Sequence, residues 1–157
     1  MDIKHSAYQE GVETNTNIIN RMLSISGNKT VDDIHKELGK IMWDNVGMSR
    51  SKTSLQNALE LIPQLKSDFW NNINIPGKNT EFNPELEKAG RLADFIELGE
   101  LMARDALSRE ESCGGHFREE YQTEENEAKR NDEDYKYVSA WEHKKEKHEL
   151  HKEELKL

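Results

Sequence analysis

The strongest constraint on the fold is one stretch, Asn83 to Tyr121, where a long helical pattern runs straight into a glycine turn and a dense run of charge. Asn83 is a good N-cap, Pro84 fits the first helical position, and Glu85 and Glu87 bring negative charge to the first turn. Leu86, Ala89, Ala93, Ile96, Met102 and Ala106 then recur at helical spacing, and Leu92, Phe95, Gly99 and Leu107 fill a neighbouring row. Small residues (Ala89, Gly90, Ala93, Gly99, Ala103) lie among the large ones, so the helix can approach partners closely on more than one side. A surface helix carries one apolar stripe. This pattern predicts a central helix over Asn83–Ser108, around which the other elements must pack.

Ser112-Cys113-Gly114-Gly115 breaks the period, because the two glycines open backbone angles closed to other residues. His116, Arg118, Glu119, Glu120 and Tyr121 follow, and a loop carried at the end of a rigid element is a common place for binding residues. Read on composition alone, the same residues form a helix cap and a solvated charged segment, with Glu110, Glu111, Glu119 and Glu120 all facing water.

Three further helices are expected. The first runs from about Tyr8 to Ser24. The second is capped by Thr30, has Asp32 and Asp33 in its first turn, and carries Ile34, Leu38, Ile41, Met42 and Val46 on its apolar face. Gly47 is expected to end it in a left-handed conformation, with Trp43 half buried against a neighbour. The third starts at Ser51 and carries Leu55, Ala58, Leu59, Ile62, Leu65, Phe69 and Trp70. Pro63 lies inside it and predicts a kink, or a restart near Leu61. Asn71–Thr80 is a loop, and Gln122–Tyr135 runs over a surface. Tyr137, Ser139 and Trp141 alternate as in a strand, Lys144–Lys147 could turn the chain, and His148–Leu155 could return antiparallel. Two strands alone are marginal in water, so such a hairpin needs a helix or another domain to rest on.

With 34% hydrophobic residues and a mean hydropathy of -0.98, the apolar material suffices for three or four helices around one core. The net charge of -9 argues against nucleic-acid binding and against adsorption to anionic lipid. No apolar run approaches the roughly 20 residues of a membrane span, so direct membrane insertion is not expected. The single cysteine, Cys113, fits a reducing cytoplasm. Its pairing with His116 three residues on does not suit nucleophilic catalysis, in which the partners usually meet through the fold. His143, His148 and His151 match no common zinc spacing and read as a solvated charged tail.

The segment Arg109-Glu110-Glu111-Ser112-Cys113-Gly114-Gly115-His116-Phe117-Arg118-Glu119-Glu120-Tyr121, with Arg130-Asn131-Asp132 after it, resembles the R-x-E-S-R-G-[AG]-H-x-R-x-D-[YF]…R-D-D signature of succinate dehydrogenase and fumarate reductase flavoprotein subunits, which L-aspartate oxidase shares. Lys36 to Arg50 resembles the R-x-E-L-x-x-x-M-W-x-x-V-G-x-x-R segment of the same family. Leu55–Leu65 resembles its L-x-x-A-L-x-x-I-x-x-L helix, and Phe82–Leu86 the entry to its last helix. The blocks occur in order from about Asp32 to Trp141. Cys113 stands where much of the family has Arg, Glu120 replaces Asp, Asn131 replaces the first Asp of R-D-D, and Thr123–Ala128 lengthens the link to Lys129-Arg130.

The resemblance implies an all-α, spectrin-repeat-like three-helix bundle with an extra N-terminal helix and a short β-type C-terminal tail. Residues 1–121 would be the helical bundle domain and 122–157 a polar extension. It implies the C-terminal helical domain of a flavoprotein subunit, with the FAD-binding and capping domains absent from this chain. That subunit takes part in succinate/fumarate oxidoreduction and electron transfer with bound FAD, on the cytoplasmic face of the inner membrane. The implied partners are the upstream FAD-binding domain, an iron–sulfur subunit, and a membrane quinone-reactive subunit. No G-x-G-x-x-G and no βαβ alternation occurs here, so no cofactor, metal or catalytic residue is assigned and the chain alone is expected to be non-catalytic. Ser112, Gly114, Gly115, His116, Arg118, Arg130 and Asp132 become candidates for domain docking. The alternative is an independent acidic helical protein-interaction module.

Overall fold

The computed structural model describes residues 5–144 and 147–155. Helices α1 (Ser6–Ser24), α2 (Val31–Val46), α3 (Lys52–Asn72) and α4 (Pro84–Ser108) are followed by a one-turn helix α5 (Asp132–Tyr135) and an antiparallel hairpin of β1 (Tyr137–Lys144) and β2 (Lys147–Glu154). The starts follow the expected chemistry. Thr30 accepts from the backbone N–H of Asp33 while the Asp33 side chain accepts from Thr30, Ser51 and Ser54 do the same for α3, and Asn83 caps α4 through Leu86.

The core forms because α2, α3 and α4 repeat their buried residues at alternating steps of three and four. Val31, Ile34, Leu38 and Ile41 line α2, and Leu55, Ala58, Ile62, Leu65 and Phe69 line α3. Ala89, Leu92, Ile96, Gly99, Ala103 and Ala106 line α4. That repeat is the seam of near-parallel helix packing. Asp32 pairs with Lys88 at one end, and Met42 lies over Gly99 midway, so α2 and α4 run in the same direction. Asn57 donates to Asn45, and Lys29 pairs with Asp68, so α3 runs against α2. A Cβ on Gly99 would lie 3.1 Å from the Met42 sulfur, so the missing side chain leaves room for Met42 of α2 in the seam.

Several sequence expectations need correction. Phe95 and Met102 are not core: with Leu98 they form a second, half-exposed stripe on α4, at 46%, 49% and 53% exposure. Gly90 serves no close contact and instead borders a groove between α1 and α4. Trp43 is 83% exposed, because two residues after Ile41 the helix has turned about 200° away from the seam. Gly47 is not left-handed (φ -63°, ψ -160°); a Cβ there would meet the Trp43 carbonyl at 2.8 Å. Helix α3 runs through Pro63 without a restart, with the proline ring on the solvent side. Helix α1 starts two residues earlier than expected, and only its last turns reach the core, through Met22. The short α5 was not expected.

The hairpin is antiparallel as expected, and its register sets Trp141 opposite Leu150; Lys145 and Glu146 of the anticipated turn lie outside the described residues. It rests on the end of α4. Tyr137 is buried, and the Trp141 indole donates to Asp105 Oδ1 at 2.8 Å.

Since Pro63 removes a helical hydrogen bond at an exposed position, Pro63→Ala should stabilise the protein. Helix propensity favours alanine by about 3 kcal/mol, and the freer unfolded chain returns about 1 kcal/mol of that. A rise in the urea midpoint corresponding to about 1–2 kcal/mol is expected; a fall would show that the proline is needed for the shape of α3.

Candidate functional site

Helix α4 has no basic residue in its last turn and ends at Ser108 on an extended cap, Arg109. Its terminal carbonyls therefore need donors from elsewhere. Arg118 supplies them. Its Nη1 donates to the carbonyls of Ala106 (3.0 Å), Leu107 (3.4 Å) and Arg109 (3.3 Å), with the side chain only 2% exposed. Ser112, fully buried, holds the same residue by its backbone: its hydroxyl accepts from the Arg118 N–H at 2.9 Å and donates to the Arg118 carbonyl at 3.1 Å.

The guanidinium also donates through Nε to Glu120 Oε2 at 3.1 Å, and the other Glu120 oxygen accepts from the backbone N–H of Lys52 at the start of α3. Helix α3 has no acidic residue in its first turn. One ion pair thus places a cation under the C-terminus of α4 and an anion at the N-terminus of α3, each complementing the helix dipole it faces. Burial disfavours ionisation of Glu120, yet the Lys52 and Arg118 donors hold its carboxyl below the usual value.

The acidic run is only partly a solvent face. Glu111, expected in water, is 2% exposed: one oxygen accepts from Arg109 at 2.6 Å, the other from the backbone N–H of Asn131 at 3.0 Å. It ties the returning chain to the end of α4, which the sequence pattern could not show. Ser49 donates to Glu119 at 2.8 Å, and Arg50 exchanges backbone bonds with Phe117 and Glu119, so the α2–α3 linker is laced to the loop. Glu110 remains exposed, as expected.

The tip of the loop is a tight turn, with Cys113 and His116 exchanging backbone hydrogen bonds at 2.8 and 3.0 Å. Gly114 has φ +58°, which favours glycine; Gly115 does not need a positive φ. Both glycines are exposed. The His116 Nε2 lies 3.2 Å from the Arg109 carbonyl, which can only accept, so that nitrogen carries the hydrogen. Burial, with Arg50, Arg118 and Arg109 nearby, lowers the His116 pKa from its ordinary 6.5. His116, Gly115, Arg50, Met102, Asp105 and Arg109, with Ala106, wall a hollow of about 200 Å³ that opens beside the Phe95–Leu98–Met102 stripe.

Of the docking candidates, Ser112, Gly114, Gly115, His116 and Arg118 come together here, with Ser112 and Arg118 behind the tip and the glycines at its front. Arg130 and Asp132 lie on the exposed return segment and pair with each other at 2.7 Å. Sequence reasoning gave no role to Arg50, Glu111 or Asp105; Arg50 was visible only as the last residue of a matched block. In the hairpin, His151 lies 2.8 Å from Glu142 and His143 stacks edge-on with His148, all of them exposed apart from a half-covered His148.

Comparison with known proteins bears on the whole region. The fumarate reductase flavoprotein C-terminal family matches residues 35–157. The matching chain of the fumarate reductase (CoM/CoB) from Methanothermobacter marburgensis is 36% identical over 89 residues, 57% of this chain and 16% of that protein. The fumarate reductase flavoprotein subunit of Haemophilus influenzae is 28% identical over 95 residues, 60% of this chain and 16% of its own length. Among solved structures, the FrdA chain of E. coli quinol fumarate reductase superposes with a TM-score of 0.84 at 20% identity, covering 100% of this chain and 26% of that one. The Mycobacterium smegmatis Sdh1 complex gives 0.77 at 24% identity, with 95% and 25% covered. At these identities the structural likeness speaks to the fold. The chain spans about a sixth of these curated relatives and a quarter of these solved chains.

Two outcomes follow from the geometry. Arg118→Ala leaves buried carbonyls without donors and should cost about 3 kcal/mol, read from urea unfolding, whereas Arg118→Lys keeps the charge but loses the fork and should cost roughly half of that. Because the folded His116 is harder to protonate than the unfolded one, the unfolded state takes up more protons as the pH drops below 6.5. Stability should therefore fall from about pH 6.5 downward until the folded imidazole itself protonates, and His116→Gln should remove that part of the slope.

Proposed function

The chain belongs to the fumarate reductase flavoprotein C-terminal family, and we propose that it acts as the helical domain that braces the flavin-binding part of a succinate dehydrogenase or fumarate reductase flavoprotein subunit. The supporting observation is the combination at the end of α4. The Cys113–His116 turn is held rigidly from behind by Ser112 and Arg118, while its glycine tip sits beside an apolar stripe that the described residues leave about half exposed. Preformed loops next to exposed apolar surface are suited to being covered by another protein surface. In this reading Gly114, Gly115 and His116 face the partner domain, and Arg130 and Asp132 lie at the margin of the contact.

The chemistry of such a subunit would reside elsewhere. FAD needs a dinucleotide cradle, and the described residues form helices and one hairpin with no parallel sheet. The hollow of about 200 Å³ is smaller than cofactor sites normally are, and the larger groove between α1 and α4 is rimmed by Glu81, Glu87, Asp94 and Glu97, which would repel a pyrophosphate. FAD, the transfer of electrons between succinate and fumarate, and contacts with iron–sulfur and membrane quinone-reactive subunits are accordingly assigned to the assembled enzyme, at the cytoplasmic face of the membrane. No helix among the described residues is long and apolar enough to cross a membrane.

A chimera tests the role. With this chain replacing the matching segment of the Haemophilus influenzae protein, FAD should be retained and fumarate should be reduced. Phe95→Glu with Leu98→Glu, both on the exposed stripe, should lower flavin retention several-fold while the isolated chain keeps its circular dichroism. Equal flavin content in both chimeras would count against bracing.

A further inference from the structure

The hollow at the end of α4 holds an unmatched cation. Arg50 is half buried, and its Nε is used by the Gly47 carbonyl at 3.2 Å. Neither of its Nη groups has a hydrogen bond or carboxylate partner among the described residues. The neighbouring arginines differ. Arg109 is paired with Glu111 and also donates to the Tyr135 carbonyl, and Arg118 is paired with Glu120. Asp105, the acid in the wall, accepts at Oδ1 from the Trp141 indole, its charge acts on Arg109, and among the described residues it makes no ion pair with Arg50. The charged group that acts on Arg50 is the guanidinium of Arg118, and burial together with that like charge lowers the Arg50 pKa. In a chain of net charge -9, a half-buried arginine beside another arginine is a place where an incoming anion would be stabilised.

We propose that this hollow, walled by Arg50, Arg109, His116 and Met102, receives one aspartate or glutamate side chain of the flavin-binding part of the subunit. The inference deepens the docking role proposed above and rests on it. Size selects the occupant: about 200 Å³ is below the usual range for small-molecule sites and suits a single side chain. Chemistry selects the group, because the two free Nη nitrogens of Arg50 form a planar fork that matches a carboxylate. Position selects the source, because Met102 belongs both to the hollow and to the apolar stripe, so a segment lying along Phe95, Leu98 and Met102 reaches Arg50 at its end. An apolar contact ending in a charge-paired anchor is how protein interfaces combine affinity with register.

The whole chain, labelled with 15N, can be titrated with acetate as a stand-in for the side-chain carboxylate, against sodium chloride at equal ionic strength. Saturable shifts of the Arg50 Nε–H and the His116 ring are expected with acetate alone. Arg50→Gln should weaken acetate binding at least about tenfold, and Arg50→Lys by a smaller factor, with the amide spectrum reporting that both variants are folded. Shifts that follow chloride equally, or that persist in Arg50→Gln, would overturn the site. Succinate binding ten times tighter than acetate would overturn the side-chain occupant in favour of a free dicarboxylate. These readouts need no partner domain, so a failed chimera and a failed titration are distinguishable.

Discussion

The structure turns on one ion pair, Arg118 with Glu120, strung between the end of one helix and the start of another. A helix terminus leaves backbone groups without partners and carries partial charge, and each end is satisfied only when donors or acceptors of the right sign arrive. Helices α3 and α4 carry neither the acid nor the base that their ends want. The loop after α4 provides both in three residues. Because Arg118 is buried, the arrangement is all or nothing: its guanidinium is stable there only with the Ala106, Leu107 and Arg109 carbonyls and Glu120 in place. Ser112 adds the last restraint by fixing the backbone of Arg118 from both sides.

That demand reaches back into the bundle. For the loop to meet α3, the C-terminus of α4 must lie beside the α2–α3 linker, which requires α2 and α4 to run side by side in one direction. The small residues of the seam, Gly99 above all, let α4 settle against α2 closely enough to set that register. The linker then pairs with the loop through Arg50, and Glu111 draws in the return segment at Asn131. Packing in the middle of the bundle and polar bonds at its end thus fix the same geometry, and what they leave projecting is the Cys113–His116 turn.

Much of this was legible in the sequence where local rules govern. The caps at Thr30 and Asn83, the start of α3 at Ser51, the span of α4 and the alternation in Tyr137–Trp141 depend on neighbours a few residues away, and the structure has them as expected. The failures lie where the outcome depends on the packed face of a whole helix or on residues far along the chain. Glu111 is a surface residue by composition; it is buried because Arg109 and Asn131 converge on it. Trp43 has the size of a core residue and lies on the wrong side of the seam, a distinction that needs the three–four repeat of α2 as a whole. Pro63 predicts a break only if its missing N–H falls where neighbours cannot hold the helix, and here Ile62 and Leu65 anchor it on both sides. The family resemblance marked the loop residues, but not that Ser112 and Arg118 face inward while the glycines face out.

The departures from the family pattern fit the same physical scheme. Glu120 in place of Asp keeps the carboxylate that Arg118 and the start of α3 require. Asn131 in place of Asp still caps α5, accepting from Asp134 through its side chain, and meets Glu111 through its backbone N–H, a contact indifferent to the side chain. Cys113 contributes to the turn through its N–H and carbonyl, both bonded to His116, so this geometry does not depend on an arginine there. The positions that vary are those whose side chains the end of α4 does not use, or uses only for a carboxylate or an amide oxygen. Ser112, Gly114, His116 and Arg118 match the pattern because their side chains, or for Gly114 the lack of one, make bonds or backbone angles that a substitute would break. A distinctive sequence can therefore have a structural cause: this one encodes a charge-satisfied helix terminus whose members stand together.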